Sequence, residues 1–139
     1  WHALGRVLHA GAGSGTALKL SEPLSFWGGV DPETGAIIDS RHPQTGSLAG
    51  RILVMPSGRG SSSSSSVLAE CLRNGTGPAA ILLLEPDEII IVGALVVEML
   101  GGRQMPVVQL DGSSYEKLRS GDIVRVSDSG EVTVEGSAP

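Results

Sequence analysis

A single cysteine, Cys71, in 139 residues excludes an internal disulfide framework and any cluster or zinc site built from this chain's thiols alone. In a helical segment the expected role of Cys71 is that of a buried, inert thiol. Aromatic residues are almost as scarce, at 3%, so the core has to be assembled from Ile, Val, Leu and Ala, with 20 glycines permitting close backbone approach. Basic residues never gather into a run. Ten Lys and Arg are scattered singly among fifteen Asp and Glu, a formal charge of −5, which argues against a nucleic-acid footprint. No apolar stretch reaches the ~18 uninterrupted residues that a membrane span requires, and Trp1-His2-Ala3-Leu4-Gly5-Arg6 does not read as a signal peptide. The expectation is a cytoplasmic protein with neither nucleic acid nor membrane as partner, and the missing initiator Met suggests a trimmed or processed sequence. A hydrophobic content of 40% over this length suits one domain spanning residues 1–139.

Patterning then divides the chain. Gly5 to Ala10 and Thr16 to Leu20 alternate as strands, and the glycine-rich Gly11-Ala12-Gly13-Ser14-Gly15 between them reads as a wide hairpin loop; as a phosphate loop it lacks the Gly-Lys-Ser/Thr ending. Leu48 to Met55 reads as a strand. Ser62 to Arg73 reads as a helix with Val67, Leu68, Cys71 and Leu72 on one face, stopped near Asn74-Gly75. Ala79 to Leu84 is a strand covered on both faces, Ile91 to Leu100 a buried helix stopped by Gly101-Gly102, and Pro106 to Leu110 a short strand. Ser113 to Arg119 is a short helix with a Ser113/Glu116 capping box, and Asp122 to Ser127 with Glu131 to Glu135 forms a hairpin. The predicted class is a β-rich α/β domain: strands first, a strand–helix–strand–helix–strand middle and a β-ribbon end, without an internal repeat.

The most informative stretch is Pro56-Ser57-Gly58-Arg59-Gly60-Ser61-Ser62, followed by four more serines. It joins a hydrophobic strand to a helix, where backbone N–H groups point outward and small side chains let a substrate reach them. A serine run also suits a flexible linker, but a linker here would leave two fragments too small to bury a core. Arg59 adds a planar cation matched to a carboxylate or phosphate; its plain alternative is a surface arginine. A hydrolase triad has little support, because G-x-S-x-G is absent and none of His2, His9 and His42 lies nearby in sequence. His42, before a proline in a polar loop, reads as solvated or structural. A serine can instead act as a base toward a carbon-bound proton when helix N–H groups and a cation stabilise its alkoxide.

Taken together, Ser25-Phe26-Trp27-Gly28-Gly29-Val30-Asp31, Thr34-Gly35, Asp39, the Pro56 to Ser62 stretch, and Asn74-Gly75-Thr76 with Pro78-Ala79-Ala80 resemble the small, swivelling domain of the aconitase X family over roughly residues 5 to 126. The resemblance implies a swivelling β/β/α fold like that of aconitase small domains. The Pro56 to Ser62 stretch is also similar to the Gly-x-Gly-Ser-Ser-Arg-Glu loop of classical aconitase and isopropylmalate isomerase small domains. It further implies that Ser61 is the proton-abstracting base, with Arg59, Gly60 and Ser62 shaping an anion site. Ser63 stands where classical aconitases carry an arginine after the two serines, so carboxylate binding by that residue does not transfer. Family members occur fused or as separate subunits, and this length looks like the separate small subunit. An iron or iron–sulfur centre would then belong to a large-subunit partner, none being bound by this chain alone. The implied reaction is dehydration of a small β-hydroxy acid: cis-3-hydroxy-L-proline to Δ1-pyrroline-2-carboxylate or, alternatively, phosphomevalonate. Phe26-Trp27 is expected at a subunit interface or cleft mouth, with core packing as the alternative for Trp27. A non-catalytic binding domain and a phosphohistidine-type swivelling domain, for which only His42 qualifies, remain as readings from other classes.

Overall fold

In the computed structural model, which describes residues 1–60 and 62–137, the chain runs β1 (His2–Leu4), β2 (Arg6–His9), β3 (Gly13–Lys19), β4 (Ile52–Met55), α1 (Ser63–Asn74), β5 (Ala80–Leu83), α2 (Glu88–Met99), β6 (Val107–Gln109), α3 (Gly112–Lys117), β7 (Asp122–Val126) and β8 (Glu131–Ser137). The strands form one sheet in the order β1-β8-β7-β3-β4-β5-β6-β2. Neighbours from β3 through β6 are parallel, and every other pairing is antiparallel.

Gly5 alone separates β1 from β2, yet these strands are the two edges of the sheet. Two residues span at most ~7 Å, so the sheet must curl until its edges nearly meet. Gly5 sits at that seam. Its N–H donates to the Gly130 carbonyl at 2.9 Å, and a Cβ there would fall 2.3 Å from Val108 Cγ1.

Alternation along the central strands splits the apolar residues between two cores. Ile52 and Val54 of β4 and Ala80 and Leu82 of β5 join Val108, Val124, Val126, Val132 and Tyr115 inside the curled sheet. Leu53, Met55, Ile81 and Leu83 face the other way, onto Leu68, Cys71 and Leu72 of α1 and Ile90, Ala94 and Val97 of α2. Both faces of β4 and β5 are therefore covered, which is why their sequences read as continuous apolar runs.

Several expectations hold and several do not. Helix α1 stops at Asn74, with Gly75 left-handed at φ 76° and the Thr76 N–H on the Cys71 carbonyl. Strand β4 is shorter than the predicted Leu48 to Met55, because the chain turns at Gly50, φ +69°, although Leu48 is still buried. β2 and β3 are not a hairpin: β2 pairs with β6, and β3 with β4 and β7. Residues 13–15 lie within β3, where Gly13 and Gly15 pass against the Ala79 and Gly50 carbonyls. Helix α2 begins earlier than Ile91, capped by Asp87, whose carboxylate accepts the Ile90 N–H at 3.0 Å. It is buried on one face only, with Val92, Leu95, Val96 and Met99 exposed. The cap of α3 is Asp111, accepting from Ser114 N–H at 2.7 Å, not Ser113, whose hydroxyl itself donates to the Asp111 carboxylate at 3.2 Å. Among the described residues no helix is long and apolar enough to cross a membrane.

Candidate active site

Helices α1 and α2 connect β4 to β5 and β5 to β6, so the chain leaving Met55 emerges at the carboxyl end of the parallel strands, where sheets of this kind place their ligands. The residues that follow, 56–60, are anchored there on both sides. Gly58 bridges in parallel to Leu24, and a Cβ on it would meet the Asp87 carboxylate at 2.6 Å. Gly60 has φ +108°, and a Cβ would lie 2.5 Å from Ser25 Oγ and 2.9 Å from Ser64 Oγ. Both the dihedral and the space demand glycine.

Ser25, Trp27 and Ser64 close a small hydrogen-bonded ring. Trp27 N–H donates to Ser64 Oγ at 3.2 Å, and Ser25 Oγ donates to the Trp27 carbonyl at 3.1 Å. The Ser25–Ser64 contact at 3.0 Å must then carry the Ser64 proton, because the Ser25 proton is already used. At the other end of α1, the Pro32 carbonyl accepts from Thr76 Oγ1 at 2.7 Å and Asn74 Nδ2 at 3.0 Å. Residues 25–32 thus grip both ends of α1, which brings the Phe26-Trp27 segment, the start of the helix and Asn74-Gly75-Thr76 together. Phe26 is buried in the core and Trp27 stands 62% exposed beside the start of α1, which excludes core packing for Trp27.

Ser62 occupies the N-cap of α1 without a side-chain capping hydrogen bond, and no acidic residue lies in the first turn. Its carbonyl accepts the Ser65 hydroxyl at 2.6 Å. The positive end of the helix dipole is therefore opposed by no carboxylate of its own first turn. Ser61, the expected base, lies outside the described residues. Of the remaining expected site residues, Gly60 and Ser62 are exposed at the junction, and Arg59, also exposed, lines a polar cleft of about 330 Å³ with Glu22, Asp39, Arg41 and His42. A larger hollow of about 570 Å³ lies between α1 and α2, lined by Ser66, Glu70, Arg73 and Val96 among others, and does not include the loop.

Within the cleft, Asp39 Oδ1 accepts the Arg41 N–H at 3.0 Å and pairs with Arg41 Nε at 3.5 Å. The backbone hydrogen bond from Arg41 is the largest influence and holds the Asp39 carboxyl below the usual carboxylate range; desolvation opposes it, and the Arg41 charge adds to the lowering. His42 is buried; its Nδ1 accepts from Gln44 N–H at 3.1 Å and its Nε2 faces the Glu22 carbonyl at 3.3 Å. It is a structural histidine holding the loop. Sequence reading singled out neither Glu22 nor Arg41, which carry no local pattern and join Arg59 only through the fold. Cys71 is buried, and desolvation pushes its thiol up to about 11, the environment of an inert structural thiol. Among the described residues no group of three His, Cys, Asp or Glu could hold a metal ion, so these residues do not fit an iron centre of their own.

A curled, β-rich α/β sheet with a glycine–serine junction suited to an anion defines the class of a swivelling domain. The profile of the aconitase X swivel domain matches residues 2–135, and the chain belongs to that family. A cis-3-hydroxy-L-proline dehydratase of Pseudomonas aeruginosa is 47% identical over 135 residues, covering 96% of this chain and 23% of that protein's length. The phosphomevalonate dehydratase small subunit of Methanosarcina acetivorans is 39% identical over 127 residues, covering 90% of this chain and 84% of its own. The crystal structure of Thermococcus kodakaraensis aconitase X (holo-form) superposes with a TM-score of 0.84 at 38% identity, covering 96% of this chain and 98% of that one. The chain thus spans about a quarter of the length of the first of these relatives.

Proposed function

We propose that this chain is the swivelling portion of a hydro-lyase that dehydrates a β-hydroxy carboxylate, with cis-3-hydroxy-L-proline as substrate and Ser61 as the base. The observation that carries the reading is the junction itself: a helix start free of acidic residues, reached through Gly58-Arg59-Gly60 and tied by Ser64 to Ser25 and Trp27. The 47% identity to a dehydratase of this substrate, over almost the whole chain, supports the same choice.

In this reading the substrate carboxylate lies against Arg59 and the first turn of α1, where a guanidinium and the helix dipole both favour negative charge. Ser61, one residue before Ser62, takes the proton from the carbon bearing the carboxylate. The C–H electron pair becomes the C2=C3 bond as the C3–O bond breaks, and the hydroxide leaves as water once protonated. The resulting enamine tautomerises to Δ1-pyrroline-2-carboxylate. As negative charge grows on the carboxylate during proton removal, fixed donors at the helix start stabilise it without reorganising. An iron centre belongs in this proposal to a large partner or to a further part of the same protein, and no step here is assigned to it. The small-subunit relatives favour a second substrate, phosphomevalonate, for the same proton abstraction.

The test is turnover of both substrates by this chain assembled with its large partner, beside each component alone. Activity in the assembly is expected to fall at least about 100-fold in Ser61→Ala, the scale of a positioned general base, while assembly by gel filtration is unchanged. A fully active Ser61→Ala assembly refutes the base assignment.

A further inference from the structure

The cleft beside the junction carries both signs of charge, and two of its charged groups are unspent. Arg41 and Asp39 pair with each other. Among the described residues, the Glu22 carboxylate and the Arg59 guanidinium have no hydrogen-bond or ion-pair partner, and both residues line the same hollow of about 330 Å³. They are not within ion-pair reach of each other, and the hollow that both residues line is of a size for a small ligand. A molecule with a carboxylate at one end and an ammonium at the other satisfies both. One with two anionic groups brings its second anion toward the unpaired Glu22, and like charges brought together across a binding surface are a barrier to the wrong partner.

Resting on the dehydratase reading above, we infer that Glu22 is a specificity-determining residue: its carboxylate receives the ring ammonium of a cyclic amino acid whose carboxylate is held by Arg59. The cleft thereby selects a zwitterion over a phosphorylated hydroxy acid. Glu22 is well placed for this, since its own backbone carbonyl faces His42 Nε2 at 3.3 Å, itself fixed by the Gln44 N–H. The backbone beneath the carboxylate is thus pinned by a contact that does not involve its side chain. A change of the side chain alone should leave the loop in place.

The experiment uses the assembled enzyme and two non-reacting probes of the same shape, L-proline and tetrahydrofuran-2-carboxylate, which replaces the ring ammonium by an ether oxygen. Affinities are measured by calorimetry, so the readout does not depend on turnover. The wild type is expected to prefer L-proline at least about tenfold, the scale of one charge-assisted hydrogen bond, and Glu22→Gln is expected to bring the two probes within about twofold. Arg59→Met should weaken both probes alike. A thermal melt of Glu22→Gln matching the wild type verifies that the fold is kept. Preference for L-proline retained in Glu22→Gln overturns the inference, as does a wild type with no preference. The two levels separate cleanly: a wild type that prefers L-proline, loses that preference in Glu22→Gln, and dehydrates neither substrate supports the cleft assignment and sinks the dehydratase reading. Turnover of phosphomevalonate without any preference for L-proline does the reverse.

Discussion

Helices α1 and α2 are each twelve residues long, each follows a buried parallel strand, and they pack against one another, but they begin in opposite ways. At α2 the protein supplies its own anion: Asp87 caps Ile90 N–H and Glu88 sits in the first turn. At α1 five consecutive serines replace the acids, and the N-cap Ser62 makes no capping hydrogen bond with its side chain. The first arrangement is the one stability alone selects, since a capped helix start contributes about 1 kcal/mol. The second forgoes that contribution and keeps the positive end of a dipole for something that arrives later. Gly58 makes the two starts neighbours, because it passes the Asp87 carboxylate so closely that a Cβ would fall 2.6 Å from it.

If that contrast is the functional one, making α1 resemble α2 should trade activity for stability. Ser62→Asp is expected to cut turnover of the assembled enzyme about 100-fold by occupying the helix start and repelling the substrate carboxylate, while raising stability by about 0.3–1 kcal/mol. Steady-state kinetics and a urea melt on one preparation check both halves, and an active Ser62→Asp enzyme would break the comparison. Gly60→Ala comes next. It forces a side chain into φ +108° and against Ser25 Oγ, at a cost of about 2 kcal/mol. Adding Ser25→Ala should restore part of it, and additivity of the pair in denaturant melts would mean that the contact is not the cause. Asp87→Ala should cost about 1 kcal/mol by removing the α2 cap, with little change in kcat, so a large kinetic effect would show that the α2 start also serves the reaction.

The smallest effect concerns pH. Because the Asp39 carboxyl titrates below its usual range, its contact with the Arg41 N–H adds stability that is complete above the ordinary carboxylate range and disappears as pH falls through the lowered value. Asp39→Asn should therefore flatten the acid side of the stability profile. An unchanged slope in melts between neutral and acidic pH would count against the contact.

Much of this was readable in the chain. The end of α1 at Asn74-Gly75, the two-faced burial of β5 and the β7–β8 hairpin follow from nearest-neighbour chemistry: a left-handed glycine, an unbroken apolar run, an alternating ribbon. The partners of β2 were not readable, because Arg6 meets Gln109 and no local pattern in residues 5–20 distinguishes that pairing from a hairpin. The same holds for the cleft. Arg59 advertises itself within a glycine–serine loop, whereas Glu22 and Arg41 are ordinary surface charges until the fold sets them opposite it. Trp27 was ambiguous because an aromatic before two glycines suits a core as well as a rim, and only the Ser25–Ser64 ring turns it outward.

The seam at Gly5 has a consequence for how the chain acquires its shape. Strand β1 pairs with β8, through His2 and Thr133, and β2 pairs with β6. On a ribosome, the earliest of these residues to emerge must wait for the latest before either finds its neighbour. Until then both segments are bare strand edges, the kind of surface that recruits strands from other chains. Native assembly should accordingly be slow and late, governed by long-range pairing rather than by the helices. A truncation that removes β8 would free β1 and expose one whole margin of the sheet, with aggregation as the expected result.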